Sequence, residues 1–181
     1  MNAAILRGLV VTALQGKTAA GANVFSPQDW STSEDMYPAI LVQTAFDDKQ
    51  SLGRNAPQFN TTTTVLISGR LQELDSAADN DGAIKAQQAL ESLREDIERA
   101  VINSYDLTRQ IQQFKAIRSR IDLNTSGEGH IAQLSMELEI EYYQGPEDFY
   151  PVETVPLAGI DTTIKMPDGT TEPVVAVDLP Q

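Results

Sequence analysis

The sequence predicts an α+β fold: a single domain with a mostly antiparallel mixed sheet flanked by two helices, then a C-terminal extension with a small β-hairpin. Three observations predict it. From His130 to Tyr143 the chain alternates without interruption, with Ala132, Leu134, Met136, Leu138, Ile140 and Tyr142 on one side and Gln133, Ser135, Glu137, Glu139 and Glu141 on the other. Side chains alternate across a strand, so this is a long strand with one apolar and one acidic face; a helix would scatter the same residues around its circumference. Two other segments, one at the start and one near the middle, carry apolar residues at helical spacing. Beyond Gly145-Pro146, prolines at 146, 151, 156, 167, 173 and 180 interrupt the chain and no long periodic face appears. The division expected is a core over 1–145 and a Pro-rich arm over 146–181.

The first helix is expected from about Asn2 to Gln15, where Ile5, Leu6, Leu9, Val10, Ala13 and Leu14 fall on one stripe and Gly16 supplies a stop. Val24 and Phe25 form a brief apolar pulse between small and polar residues, read as a short strand, with Trp30 pinning the following loop to the core. After Tyr37-Pro38, the run Ala39-Ile40-Leu41-Val42-Gln43-Thr44-Ala45-Phe46 reads as a strand buried on both sides or at a subunit contact. Asp47 to Gln58, with Gly53, Pro57 and mixed charge, reads as a mobile loop. Alternation resumes from Phe59 to Leu71, where β-branched threonines favour a strand.

A turn leads to Asn80 as a plausible N-cap, and Ala86, Leu90, Leu93, Ile97 and Val101 mark the face of a second helix, Ala83 to Asn103. Ile117, Ser119, Ile121 and Leu123 form a strand that Asn124 to Gly129 join to the long final strand as a hairpin. In the arm, Ile160 to Lys165 and Val174 to Val177 are expected to pair across Pro167-Asp168-Gly169.

With 181 residues, 41% hydrophobic and 22% charged, the chain falls among globular proteins. Its formal net charge is -13. Residues 121 to 181 carry 12 acids against Lys165 alone, so the C-terminal third makes most of the field. Its simplest role is solubility; the sharper one is to repel DNA or to attract a basic partner ring. Thirteen Lys and Arg spread among 26 acids argue against nucleic acid as a directly bound partner. The absence of cysteine removes disulfides and thiolate metal sites, and an apolar start interrupted by Arg7 argues against a signal peptide; no stretch reaches the length of a bilayer span. A cytosolic site of synthesis is expected.

Chemical motifs fail on inspection. Gly16-Lys17-Thr18 resembles the end of a phosphate-binding loop, but Val11 stands where that loop needs glycine and a helix is expected before it. Asp79, Asp81 and Gly82 suggest a calcium loop, yet that register puts Ala77 at the first ligand and Gln88 where a bidentate glutamate belongs. His130 is the only histidine and has neither a multi-histidine centre nor a nucleophile elbow beside it. No catalytic, metal or cofactor site is expected. Glu137, Glu139 and Glu141 could share a proton or a cation, although a solvated surface explains them more simply. Trp30, Tyr142, Tyr143, Phe149 and Tyr150 could anchor an interface, with core packing the alternative for the first two.

The order of helix, Tyr37-Pro38-Ala39-Ile40-Leu41-Val42 strand, loop, long strand to Leu71, helix and closing hairpin ending Met136-Glu137-Leu138-Glu139-Ile140-Glu141-Tyr142-Tyr143 resembles the tail terminator proteins of long-tailed bacteriophages. The likeness covers about residues 1 to 145 and lies in element order and local flavour; the arm falls beyond it. The resemblance implies a non-enzymatic virion protein without cofactors. It would form a homohexameric ring on the head-proximal end of the tail tube, stop tube polymerisation and join the head connector or another neck protein, assembling in the host cytoplasm. It also implies that DNA passes through the lumen without specific binding, and leaves a sheath open as a further partner. On that reading Glu137, Glu139 and Glu141 are candidates to face the lumen, and Lys49, Arg54, Phe59, Phe149 and Tyr150 to contact the tube or a neighbouring subunit. Another neck or head-tail completion ring protein is the nearest alternative, and a small cytosolic enzyme a distant one.

Overall fold

Backbone hydrogen bonding turns the predicted alternation into a five-stranded mixed sheet in the computed structural model, which describes residues 1–27, 36–55, 57–73, 82–124, 130–150, 159–169 and 171–178. The chain divides into two units, Met1–Phe149 and Tyr150–Gln181. The first is an α+β unit. Helix α1 (Ala3–Leu14) is capped by Asn2, whose side chain accepts a hydrogen bond from the Ile5 amide at 3.0 Å and so satisfies one of the open donors of the first turn. It ends at a turn where Gly16 adopts a positive φ of 68° and donates to the Gly21 carbonyl, a conformation that glycine enters without a Cβ clash.

Strands β1 (Val24–Phe25), β2 (Ala39–Ser51), β3 (Phe59–Glu73), β4 (Gln113–Asn124) and β5 (His130–Gln144) follow, in the spatial order β1-β2-β3-β5-β4. Helix α2 (Gly82–Ile102) and the single turn of helix α3 (Tyr105–Thr108) separate β3 from β4. The β1–β2 contact is parallel and the other three are antiparallel. Register then decides what is buried. Thr61, Thr63, Val65, Ile67, Gly69 and Leu71 of β3 stand opposite Tyr142, Ile140, Leu138, Met136, Leu134 and Ala132 of β5, so both apolar sets share one face.

That face is covered by the helices. Ala86, Leu90, Leu93, Ile97 and Val101 of α2, together with Leu6, Val10 and Leu14 of α1, close a core with Ile40, Val42, Val65, Ile67, Leu134, Met136, Leu138 and Ile140. Each large apolar side chain buried here stabilises the fold by roughly 1.5–3 kcal/mol before conformational entropy is set against it. The closest approach is at Gly69, where an added Cβ would lie 2.8 Å from Leu93 Cδ2 and 3.6 Å from Leu134 Cβ.

Several expectations change. Ile5, placed on the buried stripe by its spacing, is 49% exposed, because Leu6, Val10, Ala13 and Leu14 fill the contact and Ile5 lies on its flank. The strand expected to end at Phe46 runs on to Ser51, so only residues 52–58 remain as the connection. Ala39 to Val42 are buried as expected, but from Gln43 onward β2 is largely exposed and Phe46 is 65% exposed. A bulge between Thr44 and Phe46 breaks the alternation there. Pairing with Phe59–Thr64 then draws Asp47 to Ser51 into the ladder, which hydropathy does not reveal because this half of the hairpin buries little apolar surface. Helix α3 was not anticipated. The expectations for Trp30, for Asn80, Asp79 and Asp81, and for residues 125–129 lie outside the described residues.

The second unit holds the antiparallel pair expected there, β6 (Gly159–Lys165) and β7 (Thr171–Asp178), whose register sets Ile160 opposite Val177 and Thr162 opposite Val175. Its turn has Gly169 at φ 86° donating to the Met166 carbonyl at 3.0 Å. Proline at position 173 opposes Thr163 beside a register shift, one of the places in a ladder where a missing N–H is tolerated.

Candidate interaction surface

The sheet face turned away from the helices carries Glu137, Glu139 and Glu141, but β4 brings cations alongside them. Arg118 stands opposite Glu137 in register and forms an ion pair with Glu139. Lys115 lies 4.0 Å from Glu141, which also accepts a hydrogen bond from Gln113 Nε2 at 3.3 Å. Arg120 pairs along its own strand with Asp122 at 2.7 Å. The hydrogen bond to Glu139, its charge and that of Glu137 hold the Arg118 guanidinium above its ordinary pKa. The three glutamates therefore sit beside a basic strand and do not form a bare acidic stripe. Sequence reading passed over Lys115, Arg118 and Arg120, although the alternation of Arg118 and Arg120 with Ile117, Ser119 and Ile121 put both arginines on the outward face. An open groove on this face is lined by Arg118, Arg120, Asp122, Ser135 and Glu137.

At the end of the sheet where β2 and β3 extend beyond the apolar core, the inward face turns polar. Lys49 donates to the Gln144 side-chain carbonyl and to Thr61 Oγ1 at 3.4 Å, and Thr61 donates to the same carbonyl at 2.7 Å. Gln144 Nε2 donates to the Met1 carbonyl at 2.6 Å, and the Met1 amino group pairs with Asp148. Asp148 also accepts from the Gly145 amide at 3.1 Å; these contacts, led by the amino group, hold its carboxyl below the usual range. Thr63 Oγ1 lies 2.5 Å from Asp47 Oδ1 and 3.0 Å from the Tyr142 hydroxyl. Because the carboxylate only accepts, Thr63 donates to Asp47 and Tyr142 donates to Thr63. Burial, the largest cause, pushes the Tyr142 phenol up. Thr61, Thr63 and Gln144 are buried, and every one is hydrogen-bonded, so this network ties three strands and both ends of the first unit together. Lys49, expected at a tube or subunit contact, has its ammonium committed to this network.

Arg54 lies exposed in the 52–58 connection, which the Leu52 amide closes on the Gln58 carbonyl at 2.9 Å. Phe59 and Phe149 meet each other edge to face, with ring centroids 5.6 Å apart and planes at 71°. Phe149 keeps 39% of its surface, Tyr143 on the outward face of β5 keeps 42%, and Tyr150, at the start of the second unit, keeps 65%. The structure thus brings Glu137, Glu139 and Glu141 together on one face and joins Phe59 to Phe149.

Among the described residues, two edges of the sheet lack a partner strand along most of their length. Among the described residues β1 pairs only with Ile40 and Leu41, so the outer side of β2 from Val42 to Ser51 has no strand beside it. Strand β4 is the opposite edge. Unpaired N–H and C=O groups along an edge are a template for another strand.

Among the described residues, no group of three or more His, Asp or Glu is arranged to hold a metal ion, and no helix is long and apolar enough to cross a membrane. No family model matches the chain, and a search of curated proteins finds no match to it.

Proposed function

We propose that this chain is a tail terminator of a long-tailed bacteriophage, a virion protein that closes into a homohexameric ring on the head-proximal end of the tail tube. There it stops further addition of tube subunits and presents its other side to the head connector. The observation that carries this reading is the order of helix α1, strand β2, long strand β3, helix α2 and hairpin β4–β5, folded as a sheet with helices on one face and charged side chains on the other. It is the order on which the resemblance to terminator proteins rests. Such a unit suits a ring, because a repeated head-to-tail contact closes when the rotation fits. The role asks for surfaces, with no reactive group, no cofactor and no membrane.

On this reading the outward face of β5 and β4 borders the lumen. Acids interleaved with cations give DNA no continuous basic track to hold, so it slides past. The exposed connection with Arg54 meets the tube end. The test is to add purified protein to polymerising tail-tube subunits. Tubes that stop growing and carry a ring at one end support the terminator role; tubes that grow past their expected length contradict it. A ring that ignores the tube but binds the connector would instead identify a neck or head-tail completion protein.

A further inference from the structure

The two open edges of the five-stranded sheet differ in charge and run in opposite directions, and we infer that β4 of one copy pairs antiparallel with the free half of β2 in the next, so that the sheet continues from copy to copy. This inference rests on the ring proposed above and names the surface that would close it.

Direction comes first. Strand β2 is antiparallel to β3, β3 to β5, and β5 to β4, so the edge strands β2 and β4 point opposite ways. Copies related by a rotation along the strands present every β2 in one sense and every β4 in the other. Their side-by-side contact is therefore antiparallel, the better-bonded arrangement. The free part of β2, Val42 to Ser51, is shorter than the twelve residues of β4, so it can be paired along its whole length.

Charge then selects the partner. Strand β4 displays Lys115, Arg118, Arg120 and Asp122, while the free half of β2 carries Asp47, Asp48 and Lys49. Among these, Arg118 and Arg120 lie on the outward face, opposite Glu137 and Ser135, and Asp48 lies on the same face, opposite Thr62. The arginine side chains are 60% and 78% exposed even with their ion pairs made, so their stems remain free to cover Phe46. A two-fold contact would set β4 against β4, with Arg118 brought to Arg120 of the copy, or β2 against β2, with Asp48 brought to its own copy on the outward face; like charges so placed oppose pairing. Such a dimer would also leave the remaining edges unused. Both edges carry a bulge, between Thr44 and Phe46 and between Phe114 and Ala116, and β2 turns Asp47 and Lys49 inward. Bulges and inward charges blunt an edge against indiscriminate partners and leave it to one with a matching profile.

The experiment is charge exchange followed by sedimentation across a concentration series. Asp48→Arg and Arg120→Asp should each raise the concentration of half-assembly by about tenfold or more, and the two together should restore assembly. Circular dichroism and thermal melting establish that each variant is folded. Because the chain has no cysteine, Asp48→Cys combined with Arg120→Cys and bridged by a short bis-maleimide should give a ladder of covalent multimers, whereas neither single variant should cross-link to itself. Self-cross-linking of a single variant, or an assembled protein indifferent to both charge reversals, would overturn the β2–β4 contact while leaving the ring intact. A wild-type protein that stays monomeric would overturn the ring itself.

Discussion

Leu93 of α2 rests directly on the backbone of Gly69 in β3, its Cδ2 within 2.8 Å of where a Cβ at that glycine would stand. The contact sets how closely the helix can approach the sheet. Leu93 is itself buried among core side chains and has little room to move aside. Gly69→Val should therefore cost about 1–3 kcal/mol through overpacking, read as a lower urea midpoint with an unchanged slope. An unchanged midpoint would mean that the helix can lift off the strand at little cost.

The polar end of the core offers a second test. Thr63 links Asp47 on β2 to Tyr142 on β5 through one hydroxyl. Thr63→Val keeps the shape but leaves the buried phenol without its acceptor, and should destabilise the fold by roughly 1–3 kcal/mol. Tyr142→Phe removes the phenol and leaves the Thr63–Asp47 bond in place, so it should cost less, about 1 kcal/mol. Combined in a double-mutant cycle, the two changes should be non-additive, and strict additivity would contradict a shared network.

Acid should loosen the tie between the two ends of the first unit. The Asp148 carboxyl is held below its ordinary value, first by the Met1 amino group, so its contribution to stability is present above the unfolded carboxylate pKa near 3.9 and is lost as pH falls through the lower folded value. Asp148→Asn should be less stable than wild type near pH 6, and the gap should shrink below about pH 4. Thermal melts across that range read both; a gap independent of pH would assign the loss to packing.

How far the sequence foretold this surface varies by element. Strand β5 and helix α2 were legible because each buries one continuous face, and burial is what hydropathy records. The outer half of β2 was not, since Asp47 to Ser51 are held by backbone pairing with β3 and carry little apolar signal. The cations of β4 were visible residue by residue, but their partnership with Glu139 and Glu141 depends on register across a hairpin, which periodicity within one strand does not supply. The edge-to-face contact of Phe59 with Phe149 is a still longer-range pairing, 90 residues apart in the chain.

The balance of charge on the outward face predicts behaviour toward DNA. Replacing Glu137, Glu139 and Glu141 together with glutamine leaves Lys115, Arg118 and Arg120 without the acids of β5. The triple variant should acquire salt-sensitive, sequence-independent binding to duplex DNA that the wild type lacks, measurable by fluorescence anisotropy at low ionic strength. Fold stability should change little, because the ion pairs removed lie at the solvent-exposed surface. Equal indifference of both proteins to DNA would remove this face as the lumen lining.

Native mass spectrometry of the untagged protein at high concentration tests the central claim most directly. Closure into a six-membered ring predicts one dominant species at six times the 19.8 kDa chain mass, without a continuous series of larger multimers. A single 19.8 kDa species across the whole concentration range, or an open-ended ladder with no preferred size, would contradict it.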